Sequence, residues 1–340
     1  MVTLKDVAQR AGVSVRTVSN VVNDWPHVRP ALRAHVQQVI DELGYKPNLA
    51  ARSLRSGRSG LIAMVVPEID VPYFAELTRF VVQEFSARGM TVVVEQTDGE
   101  VERERELLAR GPGTMMFDGI IFCPLSVSSA EILSRSAQTP LVLIGEQHEA
   151  ESDHVLIDNV AAAQAATQHL LDLGRRRIAL IGRQPGAGIN TSELRVHGYK
   201  AALRATGVSI DEDLIPPTPR FTRRAGAQIA HKLLARTPRP DAIFCLNDLL
   251  AIGALRALNR AHVRVPEDVA LIGFDDIDEA RYTTPSLSSV APDKQAIARQ
   301  VADLLTARIG GSDKDPVIVE AGFEIRPRET TGHPDLEPLD

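Results

Sequence analysis

Apolar positions follow two different spacings along the chain, and the change from one to the other falls at Gly60. Before it they recur at every third or fourth position. Leu4, Val7, Ala8 and Ala11 share one face of a helix over 4–11, with Thr3 placed to cap its start and Gly12 to stop it. Ser14 can cap a second helix over 15–22, whose Val18, Val21 and Val22 make an apolar stripe and leave Val15, Arg16 and Asn20 elsewhere on its surface. A third helix over 30–43 carries Leu32, Val36, Val39, Ile40 and Leu43 on one side. Two short helices on a tight glycine turn, closed by a third, predict a small all-α helix-turn-helix head.

After Gly60 the pattern becomes strand-length apolar runs at 61–67, 91–97, 119–124, 140–145, 154–159, 177–182, 241–246 and 269–275, separated by helix-length amphipathic segments. Val, Ile and Leu fill these runs with little alternation, as in strands covered by helices on both faces, so parallel doubly wound α/β sheets are expected. The strands are too many for one compact sheet. Segments 117–124 and 240–247 repeat one pattern ahead of a helix, which predicts two Rossmann-like lobes facing a cleft. A closing stretch, with runs at 286–290, 316–320 and 323–328 and a helix over 293–309, is expected to cross between the lobes and finish their edges. Residues 331–340 read as a frayed tail.

Charge adds what periodicity lacks. The whole chain carries a formal −6, yet residues 1–60 hold nine bases against four acids, a balance of +5 that leaves −11 for the remainder. A basic head on an acidic body is the footprint of a nucleic-acid module joined to something else, although a solvated helical surface gives the same count. No apolar run approaches the ~18 residues of a membrane span. Lys5, Asp6, Gln9 and Arg10 make the N-terminus unlike a secretory signal, so a cytoplasmic protein with no membrane partner is expected. Cys123 and Cys245 each sit inside an apolar run, which suggests burial. No disulfide framework, metal spacing or cofactor fingerprint is present, and Gly182–Gly188 does not fit a dinucleotide loop.

In a helix-turn-helix the second helix enters the major groove with its N-terminal residues against base edges. Arg16 can bond bidentately to guanine, Val15 can pack on a thymine methyl, and Asn20 can pair with adenine or a phosphate. Ser14 and Thr17 suit phosphate contacts. An ordinary helical hairpin would show the same periodicity. The segment that follows argues against it: Asn48 can cap a helix starting at Leu49, but only about two turns fit before Ser56-Gly57, below the ~12 residues at which an isolated helix becomes marginal. Such a segment needs outside support. Ala51, Arg52, Leu54 and Arg55 complete a DNA-facing set if two copies meet in a minor groove, Leu54 wedging between base steps and the arginines facing the backbone or groove floor; in a plain linker Leu54 would pack on the body instead.

The segments 2–23, 44–54 and 265–275 together resemble the LacI/GalR family of bacterial transcription regulators, over nearly the whole chain. The resemblance implies a hinge helix that orders on operator DNA and a periplasmic-binding-protein-like (type I) effector core that dimerises. It places Val15, Arg16 and Asn20 at base-reading positions and Leu54 at an intercalating lever. The leucine-heptad extension that makes some relatives tetramers is missing, so a homodimer on a palindromic, centrally kinked double-stranded operator is expected. The domain reading is a head over 1–46, hinge and linker over 47–60, and a core over 61–340. Its N-lobe spans about 61–160 and 291–320, its C-lobe about 161–290 and 321–330, with the tail beyond.

Ligands of open parallel sheets sit beyond the carboxyl ends of strands. This selects Tyr73, Phe74, Glu95 to Thr97, Glu146, Asn247, Asp248 and Asp275; the family resemblance adds Arg195 and Phe221. Carboxylates accept from hydroxyls, an arginine donates to ring and hydroxyl oxygens, and aromatic faces cover apolar sugar faces, so a sugar is the expected small-molecule effector. Tyr73 and Phe74 are equally compatible with plain packing, and Asp248 with capping the helix over 249–261. Effector binding is expected to rotate the lobes, move the tethers at 57–60 and release the operator; corepression, in which the ligand tightens DNA binding, is the alternative sign. A sugar-transport binding protein would share the core but needs a secretion signal in place of the basic head. A sugar-processing enzyme could pair Asp248 with Asp275 or Asp276, but no nucleophile elbow or phosphate loop accompanies them.

Overall fold

The computed structural model describes residues 2–22, 25–45, 58–109, 117–134, 139–145, 152–184 and 190–333. It divides into two compact units, Met1–Gly60 and Leu61–Asp340. In the first unit α1 (Leu4–Ala11), α2 (Val15–Val22) and α3 (Pro30–Leu43) have the bounds their capping residues predict. Thr3 and Asp6 form a reciprocal capping box, and the Thr3 backbone N–H holds the Asp6 carboxyl below its ordinary pKa. Gly12 takes the left-handed conformation (φ 64°) that ends α1, a conformation a side chain would resist. Val7, Val18 and Val36 meet fully buried at the centre of the three helices.

The second unit contains two sheets. The first is built from β1 (Leu61–Val66), β2 (Thr91–Gln96), β3 (Gly119–Phe122), β4 (Leu141–Ile144), β5 (Asp153–Ile157) and β10 (Ile318–Ala321), in the order β10-β5-β4-β3-β1-β2 and all parallel. The second is built from β6 (Ile178–Ile181), β7 (Ala242–Cys245), β8 (Ala270–Phe274), β9 (Ser288–Pro292) and β11 (Phe323–Arg326), in the order β11-β9-β8-β7-β6. The repeated pattern at 117–124 and 240–247 supplies β3 and β7, each lying beside the first strand of its own sheet. Cys123 and Cys245 are buried beside and within these strands.

One strand departs from the parallel expectation. β11 runs antiparallel to β9, with Phe323 opposite Pro292. The cause is its route: β10 leaves the first sheet at its carboxyl edge, Gly322 is the single intervening residue, and the chain enters the second sheet from that sheet's carboxyl edge. The neighbouring crossing, from β9 into α11 (Lys294–Ile309), is pinned to it by the Asp293 N–H donating to Gly322 O at 3.0 Å.

Helices cover both sheets. In the first lobe α4 (Pro72–Ala87) packs against α11; α5 (Val101–Ala109) and the short α6 (Ser129–Leu133) add Leu108 and Ile132 to the apolar layer behind β1, β3 and β4. In the second lobe α7 (Asn159–Asp172) packs on α8 (Thr191–Ala205), and α9 (Arg223–Leu234) on α10 (Asp248–Arg260). The last two approach so closely that a methyl group on Gly226 would overlap the Leu250 carbonyl. Thr331, the first residue of the expected tail, is held in the fold. Thr330 and Thr331 are buried, with the Thr331 hydroxyl 2.8 Å from Ser288 Oγ and the Ser288 N–H donating to Thr330 Oγ1 at 2.8 Å, so these residues clamp β9. Among the described residues no helix is long and apolar enough to cross a membrane.

Candidate functional site

In the head, Ser14 Oγ accepts the Thr17 N–H at 3.1 Å and shares a 2.8 Å hydrogen bond with the Thr17 hydroxyl, which fixes the first turn of α2. Val15, at 41% exposure, and the exposed Arg16 project from that turn. A valine that could have joined the head's core instead faces outward beside an arginine, an arrangement that packing within the head does not require. Asn20 is half-buried one turn further along. Trp25 is 53% exposed, and its backbone N–H donates to Asn20 O at 2.9 Å, so the indole sits close to the end of the same helix. The predicted contacts Asn48, Ala51, Arg52, Leu54 and Arg55 lie outside the described residues.

In the core the two carboxyl edges meet. Tyr73 and Phe74 occupy the first turn of α4, just beyond β1, with rings edge to face at 5.3 Å. Tyr73 packs against apolar residues of the second lobe, the lobe to which Phe221 belongs. Arg195 on α8 is nearly buried: its Nε donates to Asn159 Oδ1 at 2.7 Å, its Nη1 donates to Leu246 O, and the guanidinium lies 3.4 Å over the Phe274 ring. Phe274 ends β8 and immediately precedes Asp275, which is 8% exposed with φ of 106°. The structure thus gathers Arg195, Phe274 and Asp275 at one strand end.

Other candidates take different places. Asn247 caps α10 by accepting the Leu250 N–H at 2.9 Å, so the cap expected of Asp248 belongs to its neighbour. Asp248 does not face the cleft. It is fully buried, accepting from Ser289 Oγ at 2.7 Å and from the Ile277 N–H at 2.9 Å, and burial pushes its pKa well above the carboxylate range, with Asp275 adding to the rise. It supports the turn that carries Asp275, and an enzyme reading that pairs the two carboxylates across an open site does not fit its burial. Glu95 sits against Leu107, Leu108 and Phe117 behind the first sheet, and Thr97 is buried. Glu146 lies outside the described residues.

Two contributors escape the periodicity. Asn159, buried at the start of α7, holds Arg195 while its amide donates to Ile157 O at 3.2 Å. Lys294 donates to the carbonyls of Asp275 and Asp276 at 2.7 and 2.9 Å. Both act across long sequence separations, and the only local signals are a polar residue two positions after a strand and a lysine at a helix start.

Comparison with known proteins gives consistent matches. The model for bacterial regulatory proteins of the lacI family matches residues 3–48, and that for a periplasmic binding protein-like domain matches residues 167–331. The ribose operon repressor of Escherichia coli (strain K12) is 34% identical over 334 residues, covering 96% of this chain and 98% of that protein. A structure of a transcriptional regulator CelR–cellobiose complex aligns with a TM-score of 0.70 and 34% identity over 97% of this chain and 100% of that one. A LacI-type transcription regulator from Bifidobacterium animalis subsp. lactis DSM 10140 aligns with a TM-score of 0.74 and 29% identity, over 79% and 99% of the two chains.

Proposed function

The chain belongs to the lacI family of bacterial regulatory proteins and is a DNA-binding transcriptional regulator, and we propose that it is a repressor released from its operator by a sugar bound at the meeting edges of its two lobes. The observation that carries this reading is the Arg195–Phe274–Asp275 group: an arginine held over an aromatic ring and bonded to Asn159, next to a carboxylate at the end of β8. A fixed guanidinium donates to sugar oxygens while the carboxylate accepts from hydroxyls, a pairing that neighbouring hydroxyl groups satisfy in both directions. Tyr73, Phe74 and Phe221 supply apolar faces, and Asn247 and Glu146 are proposed to add polar contacts. Relatives named for ribose and cellobiose support the same ligand class.

On the DNA side, Arg16, Val15 and Asn20 are proposed to read bases, Ser14 and Thr17 to meet phosphates, and the segment carrying Asn48, Ala51, Arg52, Leu54 and Arg55 to engage a kinked minor groove. A homodimer on a palindromic site is the proposed working form. Tyr282, 65% exposed and next in sequence to Thr283 on a groove that Ile252 and Leu255 also line, is surface a second copy would cover. Moving such a switch from mostly bound to mostly free requires the sugar to prefer one state by up to ~10⁴-fold.

The test is a thermal-shift titration of the full chain with cellobiose and D-ribose among other sugars, followed by gel-shift titration of operator DNA with any hit. The expected result is a stabilising sugar whose effect is lost in Asp275→Asn and Arg195→Met, and which weakens DNA binding. Tighter DNA binding in its presence would reverse the sign to corepression, and turnover of the sugar would return the enzyme reading.

A further inference from the structure

Glu76 lies on α4 one helical turn beyond Tyr73, and its carboxylate serves two groups outside its own helix. Oε1 accepts the Asp278 N–H at 2.8 Å, and Oε2 pairs with Lys294 Nζ at 2.7 Å. Lys294 also donates to Asp275 O and Asp276 O, so one ammonium joins a carboxylate of the first lobe to the turn after β8 in the second. The Lys294 and Glu76 side chains are only 10% and 18% exposed. Two features mark this as more than an incidental ion pair. Lys294 is the first residue of α11, where the helix dipole disfavours a cation, so its position works against local helix electrostatics. Asp275 and Asp276 are successive non-glycine residues with φ of 106° and 46°, backbone conformations that persist only where their surroundings hold them. The carbonyls of both receive the same ammonium. The Asp276 carboxylate is engaged separately, by Arg328 Nη1 at 2.7 Å, and the Asp276 N–H by Ser289 Oγ at 3.1 Å, so what Lys294 holds is the backbone of the turn.

We propose that Lys294 and Glu76 are positioning residues for effector recognition: steadied by Glu76 of its own lobe, Lys294 reaches across to hold the strained Asp275–Asp276 turn of the second lobe, so that the Asp275 carboxyl is aimed at the ligand only when the lobes sit in this arrangement. The proposal rests on the reading of Asp275 as an effector contact. It makes lobe arrangement and effector grip two sides of one equilibrium, because whatever stabilises the turn also stabilises the Glu76 contact, and the reverse holds by linkage.

Hydrogen exchange on the full chain without ligand tests the clamp. In Glu76→Gln and Lys294→Met the amides of residues 276–278 are expected to exchange about tenfold faster than in the parent, the factor that loss of one charge-assisted hydrogen bond implies. Amides of β6 and β7 serve as the control for intact folding. Lys294→Arg, which keeps charge and donors, retains protection. The exchanged pair Glu76→Lys with Lys294→Glu does not restore protection at 276 and 277, because a carboxylate cannot donate to the Asp275 and Asp276 carbonyls; an ordinary ion pair would recover those two amides, while 278 stays fast in either case because a lysine at 76 cannot accept its N–H. Unchanged protection in the single variants, or recovery in the exchanged pair, overturns the clamp while leaving Asp275 as an effector residue intact. Conversely, a sugar that stabilises Asp275→Asn as well as the parent overturns the effector reading whatever the exchange rates show. Where cellobiose or D-ribose stabilises the parent, its affinity is expected to fall about tenfold in Glu76→Gln and to stay near the parent value in Lys294→Arg; equal affinity in Glu76→Gln rejects the positioning role.

Discussion

At the scale of single residues, what matters is whether a side chain is spent inside the protein or left facing out. Val15 and Arg16 face out from a turn whose polar groups are already satisfied by Ser14 and Thr17. Arg16→Ala is therefore expected to leave head stability nearly unchanged while costing about 1–3 kcal/mol of operator affinity and relaxing preference at one base pair; uniform weakening across all sequences would make it a phosphate contact. Asp248 is the opposite case. An acid whose pKa rises on folding binds its proton more tightly in the folded chain, so its contribution is full below its ordinary value of 3.8 and is lost as pH climbs through the raised value. Asp248→Asn mimics the protonated form, its Oδ1 accepting from Ile277 and its amide donating to Ser289 Oγ. Urea midpoints measured against pH are expected to fall less steeply above pH 3.8 in the variant than in the parent, and parallel curves would show that the buried carboxyl does not tax the fold.

At the scale of elements, legibility follows from how local the cause is. The head helices are readable to the residue because Thr3, Ser14, Pro30 and the glycines at 12 and 44 set their ends through contacts a few positions away. The buried strands are readable because covering on both faces leaves them uninterrupted by polar residues. The direction of β11, the burial of Asp248 and the hold of Asn159 on Arg195 are set by residues tens of positions apart, which periodicity does not carry. The contact between α9 and α10 belongs to this second kind. Gly226→Ala places a methyl against the Leu250 carbonyl, and the helices must separate at a cost of about 1–3 kcal/mol. A thermal melt detects this loss, and an unshifted midpoint would mean the pair has slack that the packing does not show.

At the scale of the whole molecule, charge and chemistry are divided between two compact units. The balance of +5 up to Gly60 and −11 beyond it means that the core repels the phosphate backbone the head attracts. A fragment of residues 61–340 is expected to keep its sugar response and lose operator binding. The intact chain should bind DNA with an affinity that falls steeply with salt as counterions are released. Retained binding by the fragment in a gel shift, or an affinity indifferent to salt, would remove the head from its assigned role.

The path of the chain through the core also bears on how the protein is made. Residues 294–321, which supply α11 and the edge strand β10 of the first sheet, leave the ribosome only after the strands β6 to β9 of the second. Until then the nascent first lobe presents an open β5 edge and an apolar face waiting for α11, the kind of surface that draws chaperones and aggregation. Translation that stops near residue 290 thus yields a chain crippled in the half it built first.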